Sequence, residues 1–530
     1  MTHRIAAGLL ALALPGIALT TAPTRAAAAP APAAAITWSP CADGQDECGT
    51  VSVPLDKDDL GGAQVRLALR RHRAEVPGQR LGVLFINPGG PGGSGQEIVQ
   101  RAPLLLSQEV RDRFDLIGMD PRGTNESSPV GCYADPALRE ADLPALMTAA
   151  PLPGAEQPLV DATRRLARAC ATTPLAAAMS TSEVARDMDR VRDALGERQI
   201  SYLGWSYGTY LGQTYASMYP NRLRAMVLDG VVDAEAWRGS PRTAHVPVTL
   251  RTGGPKATQT ALSDILAACE QAGPDACGVA TPRKLLAEVV TRLRREPLLV
   301  TDADGSFELT LGMLLQDLRM ALHEPEGAAA VPAIIEGVHQ MVFSPASTGG
   351  ATPDLRKAPR VVRQAVTRKE QVPFVGQGLQ GSAAPGNEFE LAAAVMCSDS
   401  ANPRSPQRWR QLAARQSGGL FGPYWLYQSL SCATQDWTAV DEDAWRGPFA
   451  STTHAPILVV GSTHDPATGL DAARAVAARS ASARLLVSTN WGHTAYGLST
   501  CASTAMDRAL LDRSLPAPGT VCKGDFVPFS

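Results

Sequence analysis

Residues 202–210 read Tyr-Leu-Gly-Trp-Ser-Tyr-Gly-Thr-Tyr, and no other stretch constrains the fold of this chain as strongly. It sets Ser206 inside G-x-S-x-G, with an apolar run at 200–203 before it and a helix-compatible run at 211–218 after it. Glycine on both sides of the serine lets a strand turn sharply into a helix. Such a turn lifts the serine Oγ into a cleft beside a helix N-terminus, whose free N–H groups suit a developing oxyanion. The pattern predicts a sheet with helical crossovers and nominates Ser206 as a nucleophile.

Apolar runs at 82–87, 114–120, 200–205 and 225–229 read as buried strands. Between them, 182–195 carries apolar residues at helical spacing, with Thr181 or Ser182 as the N-cap. Strands alternating with helices argue for an α/β fold with a mostly parallel sheet. From 231 to 452 the pattern changes: Pro and Gly increase, and helical candidates stand at 257–271, 282–295, 311–322 and 332–342. Strand signal returns at 455–461 and 483–488. The expected layout is a core in two pieces, 38–230 and 453–530, with a large, mainly helical cap at 231–452 inserted between late strands.

The first 28 residues have the layout of a secretory signal peptide. Met1-Thr2-His3-Arg4 is cationic, 5–22 is apolar but broken by Pro15 and Gly16, and Ala26-Ala27-Ala28 offers a small-residue cleavage site. The unbroken apolar run is short for a membrane span, and no cysteine lies there to accept a lipid. An Ala/Pro leader follows at 29–37. The expectation is a secreted monomer, free of the membrane once the signal is removed.

Cysteine usage fits that compartment. Cys41, Cys48, Cys132, Cys170, Cys269, Cys277, Cys397, Cys432, Cys501 and Cys522 all follow the signal, and pairing them in order would close five short loops. No C-x-x-C and no H-E-x-x-H occurs, so neither a metal nor a cofactor is implied. A net charge of −3 gives no footprint for nucleic acid.

A serine nucleophile needs a base, and the base needs an orienting carboxylate. Of the eight histidines, His3 leaves with the signal, while His323 and His339 fall in the expected cap. His493 lies in the glycine-flanked loop Asn490-Trp491-Gly492-His493-Thr494-Ala495-Tyr496-Gly497, just after the last strand signal. Asp465 stands one strand earlier, in Gly461-Ser462-Thr463-His464-Asp465-Pro466. The chain order Ser206, Asp465, His493 is that of serine hydrolases built on a strand–turn–helix nucleophile. Asp229, ending an earlier strand, is the substitute acid, and His464 reads as loop packing. Directly after the 83–86 strand, the loop Asn87-Pro88-Gly89-Gly90-Pro91-Gly92-Gly93-Ser94-Gly95 can bring backbone N–H groups to a carbonyl with no side chain in the way. It matches no phosphate-binding pattern. Gly89 or Gly90, together with Tyr207, is the expected oxyanion hole.

These residues resemble the S33 serine peptidases, relatives of the prolyl aminopeptidases, and especially the secreted actinobacterial tripeptidyl aminopeptidases. The matching pieces are 87–95, Asp120-Pro121-Arg122-Gly123-Thr124, 204–208, Leu228-Asp229-Gly230-Val231-Val232-Asp233, 461–466 and Gly492-His493. The resemblance spans 38–522, with only Met396-Cys397-Ser398-Asp399 matching in the cap. It implies an α/β-hydrolase core, a helical cap over the site, and release of short peptides, tripeptides above all, from free N-termini. The loop opens Asn-Pro where prolyl aminopeptidases have His-Gly, which tilts toward the tripeptidyl branch. Such an enzyme must hold the substrate ammonium, and Asp233, Glu235, Glu388, Asp399 and Asp436 are the candidates. The rivals are a secreted carboxylesterase or lipase on the same core, and a catalytically silent hydrolase-fold binding protein.

Overall fold

The apolar runs at both ends of the chain pair into one ten-stranded sheet in the computed structural model, which describes residues 35–148, 150–301, 305–343, 354–357, 363, 387–415, 419–433 and 435–530. The signal and most of the leader lie outside the described residues; from Ala33 onward the chain is one compact unit. The first five strands are β1 Thr37–Pro40, β2 Glu47–Pro54, β3 Gln64–His72, β4 Gly82–Asn87 and β5 Phe114–Met119. β6 Ile200–Trp205 and β7 Leu223–Asp229 follow. β8 Leu298–Thr301 and β9 Ser306–Leu309 form a separate hairpin, and β10 Ile457–His464, β11 Ala483–Trp491 and β12 Val521–Cys522 complete the set. The main sheet runs β1-β2-β3-β5-β4-β6-β7-β10-β11-β12. It is antiparallel from β1 to β5 and parallel from β5 onward.

Burial explains which strands the sequence announced. β4, β5 and β6 are buried along their whole length, as parallel strands covered on both faces must be, and so appear as unbroken apolar runs. β2 alternates buried and solvent-facing residues, a weaker signal that the apolar-run reading passes over. β11 is not the last strand, because the two-residue β12 pairs alongside it.

The helix predicted at 182–195 is Thr181–Ala194, capped by Ser180 rather than Thr181 or Ser182: the Ser180 side chain accepts the Glu183 N–H. The helix after Ser206 runs Tyr207–Met218. Between β7 and β10 the chain builds helices Gly254–Ala272, Pro282–Leu293, Leu311–Ala321, Pro325–Val342 and Glu388–Asp399. The fourth begins at Pro325 rather than 332, because Pro325 occupies its first turn and Pro332 is carried inside it. This insertion has its own apolar core, including Ile265, Leu318, Ile335 and Trp425, and Trp491 of β11 packs into it. The sheet carries separate cores on its two faces.

All ten cysteines pair in sequence order: Cys41–Cys48, Cys132–Cys170, Cys269–Cys277, Cys397–Cys432 and Cys501–Cys522. No described helix is long and apolar enough to cross a membrane.

Candidate active site

Ser206 stands at the C-terminal edge of the parallel sheet, where open α/β sheets bind ligands. Its backbone has φ 54° and ψ −126°, a conformation costly for a residue with a Cβ and kept only where its surroundings enforce it. Both motif glycines serve that enforcement. A Cβ on Gly204 would fall 2.6 Å from the Gly208 carbonyl oxygen, and one on Gly208 would fall 2.5 Å from the Asn87 carbonyl oxygen. The strand, the helix and the glycine-rich loop meet too closely for any side chain at either position. Ser206 is partly exposed amid buried neighbours, and its N–H donates to the Asp229 carbonyl at 3.0 Å.

The loops after β10 and β11 bring Asp465 and His493 together. His493 Nδ1 lies 2.8 Å from Asp465 Oδ2 and 3.0 Å from Oδ1. The carboxylate also accepts the N–H groups of Ala467 and Thr468, each at 2.8 Å, and the Thr468 hydroxyl at 2.8 Å. Burial alone would raise this carboxyl. The His493 charge and hydrogen bond, helped by the Thr468 and Ala467 amides, outweigh burial and hold it down at about 2. An ionised Asp465 requires the His493 proton on Nδ1 and leaves Nε2 as the basic nitrogen. The end of β7 links Ser206 to His493: the Asp229 carbonyl accepts the Ser206 N–H, and a Cβ on the next residue, Gly230, would lie 3.2 Å from His493 Cε1.

His464 faces away from this pair. It stacks on Trp491 at 4.0 Å between centroids and binds Asp264 through Nδ1 at 3.0 Å. Asp229 spends its carboxylate on the backbone beyond the histidine, accepting the Ala495 and Tyr496 N–H groups at 3.0 Å. Full burial raises the Asp229 carboxyl to about 6 against the pull of those amides.

The glycine-rich loop leans directly over the turn. A Cβ on Gly89, where φ is 97°, would sit 2.9 Å from the Tyr207 nitrogen and 3.0 Å from Ser206 Cβ. The Gly89 N–H is already committed to Asn87 Oδ1 at 3.0 Å. Among the described residues, the N–H groups of Gly90 and Tyr207 have no acceptor. Ser94 anchors the far end of the loop, capping the Gly95–Gln100 helix while donating to Asp120 Oδ1 at 2.7 Å. That contact gives the Asp120 motif a structural purpose.

The insertion borders the site on two sides. A Cβ on Gly92 would meet the Leu391 side chain at 2.6 Å, which places the Glu388–Asp399 helix against the glycine-rich loop. On the other side, the His493 N–H donates to the His323 carbonyl at 2.9 Å, and the two imidazoles meet edge to face at 5.4 Å. The place of His323 in the insertion gives no sign of this contact, which depends on the approach of two segments distant in sequence.

The five carboxylates considered for the substrate amine are engaged elsewhere. Asp233 caps the Ala234–Arg238 helix and pairs with Arg479 at 2.6 Å, and Glu235 pairs with Arg238. Glu388 lies 3.9 Å from Arg139, and Asp436 binds Arg164 and Arg168 at 3.0 and 3.1 Å. Asp399 is buried and accepts the Thr181 N–H, the Thr181 hydroxyl and the Trp237 indole N–H at 2.9, 2.7 and 3.2 Å. One group among the described residues has metal-ligand reach, the surface carboxylates of Asp56, Glu442 and Asp443, and Lys57 already binds Asp443 at 2.8 Å.

Comparison with known proteins supports the fold and the family. A family described as "alpha/beta hydrolase fold" matches residues 82–272, and one described as "TAP-like protein" matches 417–522. The chain is 38% identical over 221 residues to the tripeptidyl aminopeptidase of Streptomyces coelicolor, covering 39% of this chain and 40% of that one. It is 37% identical over 216 residues to serine protease Hip1 of Mycobacterium tuberculosis, covering 38% of this chain and 40% of that one. Both matches thus span well under half of each relative's length. A longer match, 32% identical over 500 residues, covers 90% of this chain and 86% of carboxylesterase B of Mycobacterium tuberculosis. The serine turn, the Asp–His pair at the sheet edge and these matches lead to one statement: the chain belongs to the α/β-hydrolase family, among its S33-type serine hydrolases with a TAP-like C-terminal region.

Proposed function

We propose that this serine hydrolase is an exported exopeptidase that releases short peptides, tripeptides above all, from free N-termini. The chief support is the insertion, which meets the glycine-rich loop through Leu391 and the base loop through His323. A roof resting on both sides of the nucleophile acts as a cap, admitting an extended chain end and excluding a folded protein. The five disulfides suit an oxidising compartment, in keeping with the signal read at 1–28.

The chemistry is acyl transfer. His493 Nε2 takes the Ser206 proton as Oγ attacks the scissile carbonyl, and Asp465 stabilises the imidazolium. The Gly90 and Tyr207 N–H groups receive the oxyanion, since the Gly89 N–H is committed to Asn87. His493 then protonates the leaving amine. Water then attacks the acyl carbon as it gives a proton to His493, and collapse frees the peptide's new carboxyl while His493 returns that proton to Ser206 Oγ.

We assign the substrate ammonium to Glu324. It directly follows His323, its side chain reaches solvent, and it has no ion pair among the described residues. Its carboxyl is raised, first by partial desolvation and then by Glu326, while the charge of His493 pulls it down, which sets it within electrostatic reach of the base. Three extended residues span roughly 10 Å, the separation between amine and scissile bond that removal of a tripeptide requires.

The second reading is a carboxylesterase, favoured by the long match to carboxylesterase B. Purified protein given a free tripeptide amide, its N-acetylated form and a short acyl ester separates the two. The exopeptidase cleaves the free peptide best and the acetylated one poorly; an esterase turns over the ester and neither peptide. Efficient internal cleavage of an N-blocked polypeptide overturns the role given to the cap.

A further inference from the structure

The insertion grips both loops of the Asp–His pair. On the acid side, the Trp425 indole donates to the Thr258 hydroxyl at 2.9 Å, and that hydroxyl donates to the carbonyl of Pro466, the residue after Asp465, at 2.6 Å. His464, the residue before it, is held by Asp264 of the Gly254–Ala272 helix. On the base side, a Cβ on Gly492 would fall 2.7 Å from the His323 carbonyl oxygen, so the loop glycine is required by the approach of the insertion. Arg319 joins the two sides. Its guanidinium lies 4.9 Å from the Trp425 ring, and its Nη2 is 3.2 Å from His323 Nε2.

That last contact settles the protonation of His323. A guanidinium only donates, so Nε2 must accept, and the ring proton belongs on Nδ1. Nδ1 faces the Arg319 carbonyl oxygen at 2.8 Å, which can only accept. Arg319 therefore holds His323 from both ends as a neutral imidazole, with no place for a second proton. Burial, followed by the charges of Arg319 and His493, keeps its imidazole well below the usual histidine range.

We propose that His323, locked in this tautomer by Arg319, is a positioning residue for His493, so that the insertion completes the catalytic site as well as covering it. The proposal rests on His493 being the base. A neutral ring packed edge to face against His493 fixes its plane without placing a cation beside the imidazolium formed during reaction, which a protonated His323 would do. The charged and titratable groups acting on His493 are Asp465 after β10, Asp229 at the end of β7, Glu324 at the head of the Pro325–Val342 helix, and His323 after the Leu311–Ala321 helix, while Arg319 of that helix acts on His323 and Asp465.

The test uses the full-length protein, with active sites counted by a fluorophosphonate so that rates refer to competent molecules. His323→Ala should lower kcat by about 100-fold, the cost of a base displaced by about 1 Å, with KM within about twofold of native. His323→Asn, which keeps a donor near the Nδ1 position, should recover part of the loss. Arg319→Met removes the donor that fixes the His323 ring, and should lower kcat in the direction of His323→Ala with KM little changed. Two outcomes overturn the inference: native kcat and pH profile in His323→Ala, or fewer competent sites that each keep the native profile. Either result beside an inactive Ser206→Ala spares the reading of the triad, whereas an active Ser206→Ala removes that reading itself.

Discussion

Asp229 holds the backbone of Ala495 with both carboxylate oxygens, each 3.0 Å from its N–H, two residues beyond the imidazole that Asp465 holds by its ring. The two buried acids thus divide the work on one loop: one fixes its path, the other its chemistry.

That division predicts unequal costs. Asp465→Asn should reduce kcat by about 10⁴-fold, because the His493 tautomer is no longer specified. Asp229→Asn leaves the imidazole its partner and should cost mainly stability, about 1–3 kcal/mol for a buried acceptor replaced by a poorer one. Steady-state kinetics with thermal melts on both variants checks this; equal losses of kcat would mean that the acids share the base.

Gly89→Ala should cripple turnover. The new methyl would lie 2.6 Å from the Trp205 carbonyl oxygen and 2.9 Å from the Tyr207 nitrogen, atoms of the turn that cannot move aside. Displacing the loop removes an oxyanion donor, worth about 10²–10³ in kcat. Gly131→Ala is the control, with nothing within 4 Å of the added carbon. A Gly89→Ala enzyme of native activity would place the oxyanion hole elsewhere.

Glu324→Gln should lower kcat/KM for peptides with a free amine by roughly 10- to 100-fold, the worth of a hydrogen bond to a charged group. Acetylated peptides and esters should be turned over as before. A uniform loss on all three substrates would show that Glu324 supports the helix start instead of reading the amine.

Asp399 predicts a pH signature in stability. Burial raises its carboxyl to about 7, the Thr181 and Trp237 donors only partly offsetting that effect. Below about pH 4 it is protonated whether folded or unfolded. Between about 4 and 7 the unfolded chain releases the proton and the folded protein keeps it, so stability falls as pH rises, by on the order of 4 kcal/mol in total. Asp399→Asn removes this dependence. The wild type should therefore gain Tm on the variant as pH falls from 8 to 5, and a constant gap would contradict the raised carboxyl.

The local parts of this molecule are legible in its sequence. Residues 200–208 carry strand, turn and helix within one short run, and Asp465 and His493 each follow an apolar strand closely enough to be placed at its end. Contacts between distant segments are not. The partner of Asp233 is Arg479, that of Asp436 is Arg164, and that of Asp399 is Thr181, so each carboxylate looked free until the chain was folded. β1 and β2 carry no apolar run for other reasons: β1 is an edge strand facing mostly solvent, and β2 divides its residues between solvent and core.

The order of the cysteine pairs has a consequence for how this chain matures. The bridges span 7, 38, 8, 35 and 21 residues, and none encloses or crosses another. A chain delivered N-terminus first therefore offers each cysteine its partner before the next pair emerges, and oxidation in order of arrival yields the final connectivity without an isomerase. The same direction of travel delays hydrolysis: Ser206 arrives early, while Asp465 and His493 arrive with the final strands. With the triad proposed above, a nascent chain stays inert until its last segment docks, a safeguard for whatever cell has to make it.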